Sequence, residues 1–233
     1  MMVLTDQEKI KMIKLCYLDT ETGGVDDKKS ALLQISAAFE VDWKIVSKFN
    51  RWLKPFPQDE KISPESTEKT GFTANMVSTD PKFEDPKKVY KDFVTACDSV
   101  VNKFDKKDKM FFVGFNAHTF DMPFMREFFK KNGNVYFGSY FWWPGIDVML
   151  LYAADWIKDR PTMENFQLMT VARTAGLKVD ESRLHDGMYD IQLTRELFLR
   201  RAMRLNIIDQ QEILQSMDKK NDEPEEREET YRI

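Results

Sequence analysis

Cysteine is nearly absent from these 233 residues. The two present, Cys16 and Cys97, lie in separate apolar settings without C-x-x-C spacing, which excludes a disulfide-stapled scaffold or a zinc-ribbon site and leaves two buried thiols. Histidine is equally scarce, with only His118 and His185, so any imidazole chemistry falls on one of two positions. Long apolar runs are missing too. The longest, 139–152, is interrupted by Pro144, Gly145 and Asp147 and falls short of the roughly 20 residues that span a bilayer, so no membrane association is expected. The opening M-M-V-L-T-D-Q-E-K-I has no basic stretch followed by an apolar one, which argues against a secretory signal and for a cytoplasmic location. There is no basic excess either: 35 Lys and Arg stand against 39 Asp and Glu, a net charge of −4. A protein that tracks a long duplex usually carries the opposite sign. An enzyme that reaches one phosphate through bound cations concentrates acid at its centre and tolerates this balance. No internal repeat is found.

What is present suffices for one large core, since 42% of the chain is hydrophobic. The reading is a single domain over 11–219, an extension over 1–10, and an acidic tail over 220–233, N-D-E-P-E-E-R-E-E-T-Y-R-I from Asn221, too polar to fold alone. Alternation of apolar residues predicts a strand over 11–19, then strands over 31–41 and 44–53 joined by a turn at Asp42, a β-meander. Ser63, Pro64 and Gly71 mark the cap, first position and stop of a short helix. Val89, Phe93, Cys97 and Phe104 recur at helical spacing over 86–104. A buried strand is expected at 110–116, a helix at 122–131, an aromatic strand at 135–143, helices at 147–157 and 163–175, and a last long helix opening at Asp190. Three strands followed by alternating helix and strand make an α/β fold with a central mixed five-stranded sheet flanked by helices.

Three short motifs carry chemistry. Asp19 and Glu21 stand in L-D-T-E-T-G-G, Asp121 in G-F-N-A-H-T-F-D, and His185 with Asp190 in H-D-G-M-Y-D. Residues i and i+2 of a strand share a face, so Asp19 and Glu21 point the same way, and the following glycines allow close approach of a substrate. Phosphodiester hydrolysis by two divalent cations needs hard carboxylate ligands, and this set provides them. Taken singly each motif is weak. Asp121 has an alternative reading as the N-cap of the helix that follows it. His118 reads as solvent-facing or hydrogen-bonding. His185, in a loop beside a carboxylate, has the mobility and the near-neutral titration, about 6.5 unperturbed, that suit a general base.

In order and spacing the motifs resemble the DEDDh branch of the DnaQ-like 3′→5′ exonucleases, with a ribonuclease H-like fold and members among bacterial proofreading subunits. Supporting segments are L-L-Q-I-S from Leu32, I-S-P-E-S-T-E-K-T-G-F-T from Ile62 and D-V-M-L-L from Asp147. The resemblance implies that Asp19, Glu21, Asp121 and Asp190 hold two divalent cations, Mg²⁺ or Mn²⁺, with His185 as general base. It also implies that Thr22 and Gly23 lie against the terminal nucleotide and that Phe72 or Met76 wedges near its base, with Asn116 a further substrate contact. Two positions depart from the family pattern: Phe115 stands before Asn116-Ala117 in place of histidine, and Tyr189 precedes Asp190 in place of a small residue. The implied activity releases nucleoside 5′-monophosphates from single-stranded DNA with a free 3′ end, alongside a polymerase or other replication or processing partner. The alternatives are an RNA-trimming 3′→5′ exoribonuclease and a non-catalytic nucleic-acid- or partner-binding module on the same fold.

Overall fold

The computed structural model describes residues 12–183 and 186–208. The expected extension, the acidic tail and His185 lie outside the described residues. Strand β1 (Lys14–Thr22) runs antiparallel to β2 (Leu32–Val41), which turns back into β3 (Lys44–Leu53). Asp42 and Trp43, with φ of 45° and 67°, supply the two left-handed residues that a tight hairpin requires. The Asp42 carboxylate also accepts the Ile13 N–H at 2.8 Å. Helices α1 (Pro64–Thr70) and α2 (Ala74–Thr79) follow, then the two-residue strand β4 (Phe83–Glu84) and helix α3 (Pro86–Asp98). In α1 the Ser63 side chain accepts from the Ser66 N–H, and Gly71 closes the helix at φ 71°, as the sequence predicts. Strand β5 (Phe111–Gly114) lies parallel to β1, and helix α4 (Asp121–Lys131) leads through an irregular stretch to β6 (Ile146–Asp147). Helices α5 (Val148–Asp155), α6 (Leu168–Thr174) and α7 (Gly187–Arg204) complete the described chain.

The strands form one mixed sheet in the order β4-β3-β2-β1-β5-β6, six strands where five were expected. Helices cover both faces. One face packs Cys16, Leu18, Phe39 and Phe112 against Phe93 and Cys97 of α3 and Phe128 and Phe129 of α4. The other packs Leu15, Tyr17 and Val113 against Val148 and Tyr152 of α5, Val171 of α6 and Leu197 of α7. Both thiols are free and buried, and burial pushes each well above the usual range. No described helix is long and apolar enough to cross a membrane.

Several expected boundaries are corrected. The aromatic strand at 135–143 does not form: Phe137–Ser139 is a single 3₁₀ turn, only Met110 and Phe141 make an isolated bridge, and the edge strand is Ile146–Asp147. Gly138, Pro144 and Gly145 interrupt that stretch, and Phe137 and Phe141 bury their rings against Phe112, Phe137 also against Phe129, instead of through a ladder. The helix expected at 86–104 ends at Asp98, that at 147–157 starts after Asp147 and ends at Asp155, and that at 163–175 begins only at Leu168. The last helix opens at Gly187, capped by Asp186, so Asp190 sits within its first turn.

Candidate active site

Strand β1 carries the first two carboxylates beyond its pairing with β5 into the site, since it extends through Thr22, still paired with β2, where the sequence predicts an end at Asp19. Alternation turns Asp19 and Glu21 to one side and Thr20 to the other. Thr20 is the clamp for the second motif. Its backbone N–H and hydroxyl both donate to Asp121 Oδ1, at 2.9 and 2.7 Å. Asp121 is therefore not an N-cap: it is the first residue of α4, Phe120 holds the cap position with no side-chain bond, and the buried carboxylate reaches across to β1.

The third motif arrives on α7. Asp186 caps that helix by accepting the Met188 N–H at 3.1 Å, and Gly187 lets its first turn press on the sheet. A Cβ at Gly187 would lie 2.9 Å from Ser36 Cβ and 3.1 Å from Asp19 Oδ2, so any larger residue would push α7 and Asp190 away. Ser36 is the cross-strand partner of Asp19; its hydroxyl and the Gln34 carboxamide both donate to Asn50 Oδ1, at 3.1 and 2.8 Å. These polar side chains continue the site across β2 and β3.

Burial raises Asp19 well above the usual carboxylate range, and the charges of Asp121, Glu21 and Asp190 push it further. Burial, with Asp190 and Asp121, pushes Glu21 up to about 8. Asp121 rises to about 7, burial and Asp147 outweighing the Thr20 hydrogen bonds that favour its charged form. Among the described residues no group of three or more acidic, histidine or cysteine side chains is arranged to hold a metal ion. The carboxylates are nevertheless hard oxygen donors, and crowded like charges, costly alone, become favourable once a cation lies between them.

Asp147, outside the three motifs, and Phe120, within the second, organise the site. Asp147, buried at the start of α5, accepts the N–H groups of Asn116 at 3.0 Å, His118 at 3.2 Å and Met149 at 3.1 Å. It fixes the loop that delivers Asp121, and Asn116 takes a left-handed φ of 62° within it. Phe120 lines a cleft of about 240 Å³ with Glu21, Thr22, Gly24, Ser63, Ser66 and Lys69. The Ser66 hydroxyl donates to the Thr22 carbonyl, and the Gly23 carbonyl accepts the Ser63 N–H at 2.8 Å, so α1 forms one wall. The sequence signal for Asp147 was its segment D-V-M-L-L; nothing in the sequence singled out Thr20, Ser36 or Phe120.

The remaining expected contacts scatter. Thr22 borders the cleft, while Gly23 is tucked beneath it, donating to the Ala31 carbonyl at 2.7 Å. Phe72 is buried edge-on to Phe83, so its ring is a core element, and Met76 remains half-exposed. The Asn116 carboxamide accepts from the Thr119 hydroxyl. His118 is half-exposed: its ring stacks on Trp143, its Nε2 is buried without a hydrogen-bond partner, and its backbone N–H donates to Asp147.

Residues 16–198 match the RNase_T exonuclease family. The PolC-type DNA polymerase III of Thermotoga petrophila is 28% identical over 183 residues, 78% of this chain and 11% of that protein. Among solved structures, E. coli exonuclease I in complex with a dT13 oligonucleotide superposes with a TM-score of 0.63 at 18% identity, covering 82% of this chain and 41% of that one. The zinc-bound exonuclease I–single-stranded DNA complex gives 0.64 at 17%, covering 89% and 43%. The chain thus spans about a tenth of the polymerase and about two fifths of each exonuclease I chain. With the match covering most of the chain and the mixed sheet carrying the acidic motifs at its centre, the chain belongs to the RNase_T family of DnaQ-like 3′→5′ exonucleases, within the ribonuclease H-like superfamily.

Proposed function

We propose that this chain is a metal-dependent 3′→5′ exonuclease of the DEDDh type, hydrolysing single-stranded DNA ends to nucleoside 5′-monophosphates. The observation that carries the reading is the convergence of Asp19, Glu21, Asp121 and Asp190, from β1, α4 and α7, where burial first and then the charges of the other three raise Asp19. Asp19, Asp121 and Asp190 would hold one divalent cation, and Asp19 with Glu21 a second, Mg²⁺ or Mn²⁺. When bound, such ions supply positive charge to the attacking water and to the departing 3′-oxygen. His185 takes the proton from that water. Thr20 orients Asp121, and Asp147 fixes the approach of its loop. The terminal nucleotide enters the cleft between Glu21 and α1, with Thr22 at its border; Gly23, Phe72, Met76 and Asn116 do not line it. The exonuclease I complexes with dT13 and with single-stranded DNA support the substrate class, and the PolC-type relative supports a polymerase or other replication or processing partner. The catalytic domain is read as 11–219, in a cytoplasmic setting.

Matched DNA and RNA oligonucleotides, single-stranded and duplex, labelled at the 5′ end, test this reading. The expected result is a ladder shortening from the 3′ end of single-stranded DNA with Mg²⁺ or Mn²⁺, blocked by a 3′-phosphate. Equal cleavage of circular single-stranded DNA would show an endonuclease and end the proposal, and preferential digestion of RNA would move it to the exoribonuclease alternative.

A further inference from the structure

We propose that Trp143, supported by His118 and Arg126, is a stacking site for a nucleobase of the single strand two or more nucleotides to the 5′ side of the nucleotide being removed. The inference rests on the exonuclease reading above and adds a binding site outside the acidic centre. Trp143 is 69% exposed, yet its indole is held. The His118 ring stacks on it with centroids 5.8 Å apart and planes at 30°. The Arg126 guanidinium carbon stands 5.1 Å from the indole centroid and 5.0 Å from that of Phe137.

Arg126 differs from the other cations of α4. Lys130 pairs with Glu127 and Lys131 with Asp59, whereas Arg126 forms no ion pair among the described residues and is engaged only by the rings of Phe137 and Trp143. An arginine without a carboxylate, laid against an exposed indole, offers both halves of a nucleotide contact: an aromatic face for the base and a planar charge for the phosphate. His118 completes the platform from behind. Its Nε2 is shut from solvent without a hydrogen-bond partner, so the ring is there to support the indole, and its backbone is tied to Asp147.

The placement follows from the second motif. His118 precedes Asp121 by three residues in the Asp147-pinned loop, and Arg126 follows it by five, about 7.5 Å along α4. A strand whose end lies among the carboxylates can therefore pass over this surface. Stacking tolerates every base, as digestion through any sequence requires.

Equilibrium binding of oligothymidylate to the full chain, with Ca²⁺ as the supporting ion, tests the site. A labelled dodecamer is titrated first and an unlabelled dinucleotide is then used as competitor. Trp143→Ala should weaken the dodecamer by about 5- to 100-fold, the range expected for one stacked base, and leave the dinucleotide's inhibition constant unchanged. Trp143→Phe should restore most of the loss, and Arg126→Gln should give a smaller loss that fades as salt rises. Unchanged dodecamer affinity in Trp143→Ala would overturn the proposal and leave the patch to a protein partner. Equal losses for both lengths would overturn it as well, by showing a disturbed centre. A wild-type chain that binds neither would instead sink the exonuclease reading itself.

Discussion

The same two elements, β1–β2 and α7, bury acid at two places and treat it oppositely. At one, fully buried Glu40 accepts from Arg195 of α7 and from the Tyr17 hydroxyl at 3.2 Å, and Arg195 also donates to the Trp43 carbonyl at 3.2 Å. Burial raises Glu40, and the Arg195 charge and the two hydrogen bonds oppose the rise. At the other, about 13 Å further along β1, Asp19 meets Glu21, Asp121 and Asp190, and none of the ion pairs among the described residues involves Asp19, Glu21 or Asp121. The sequence could have placed arginine in the first turn of α7 as it did at Arg195. An acid balanced by the protein belongs to the scaffold, and acids left unbalanced reserve their charge for something that is bound.

The largest test of that contrast is loss of turnover. Asp19→Ala should lower the rate of digestion by roughly 10³-fold or more, the scale of metal-borne charge stabilisation, while a circular dichroism spectrum stays that of the wild type. His185→Ala should slow single-turnover cleavage by about 10²–10⁴-fold with little change in oligonucleotide affinity, the usual contribution of a positioned base; a His118→Ala chain with the larger loss would assign the base to the wrong histidine. On the scaffold side, Arg195→Leu should cost about 3 kcal/mol in denaturant unfolding by stranding Glu40, and the folded variant should still cleave. Asp147→Ala falls between the two: freeing three N–H groups should loosen Asp121 and reduce metal affinity and turnover by about 10- to 100-fold, readable as a higher Mn²⁺ concentration for half-maximal rate.

The meander, the capped helix α1 and the buried amphipathic faces of α3 and α4 were legible because each is written in local spacing. So was the shared face of Asp19 and Glu21, because a strand-borne D-x-E places two acids on one face whatever surrounds them. The segment before β6 was not. Its aromatic residues, Val135 through Trp143, have strand composition, but the buried rings satisfy themselves against Phe112 and Phe129, a tertiary choice that no local pattern records. Asp121 illustrates the same limit. Its sequence context offers a helix cap, and only the approach of Thr20 from β1 turns the carboxylate toward the site. Phe72, placed near the substrate only by the family resemblance, packs against Phe83 because β4 joins the sheet edge, and that two-residue strand carries too little pattern to be seen beforehand.

The central claim, that the acids at the end of β1 are held apart from any internal cation so that a divalent ion can take that place, is tested most directly by metal-dependent melting. Glu21 and Asp121 have folded values of about 8 and about 7, above the ordinary carboxylate value of about 4. Their protonated forms are therefore favoured in the folded chain, and the stability they lend is full below about pH 4 and is lost as pH rises through 7 to 8. At pH 8 without metal, Asp121→Asn should melt higher than the wild type. Adding Mn²⁺ should raise the wild-type melting temperature and move the variant little. A wild-type midpoint unmoved by Mn²⁺, or one that shifts no more than the variant's, would contradict the account.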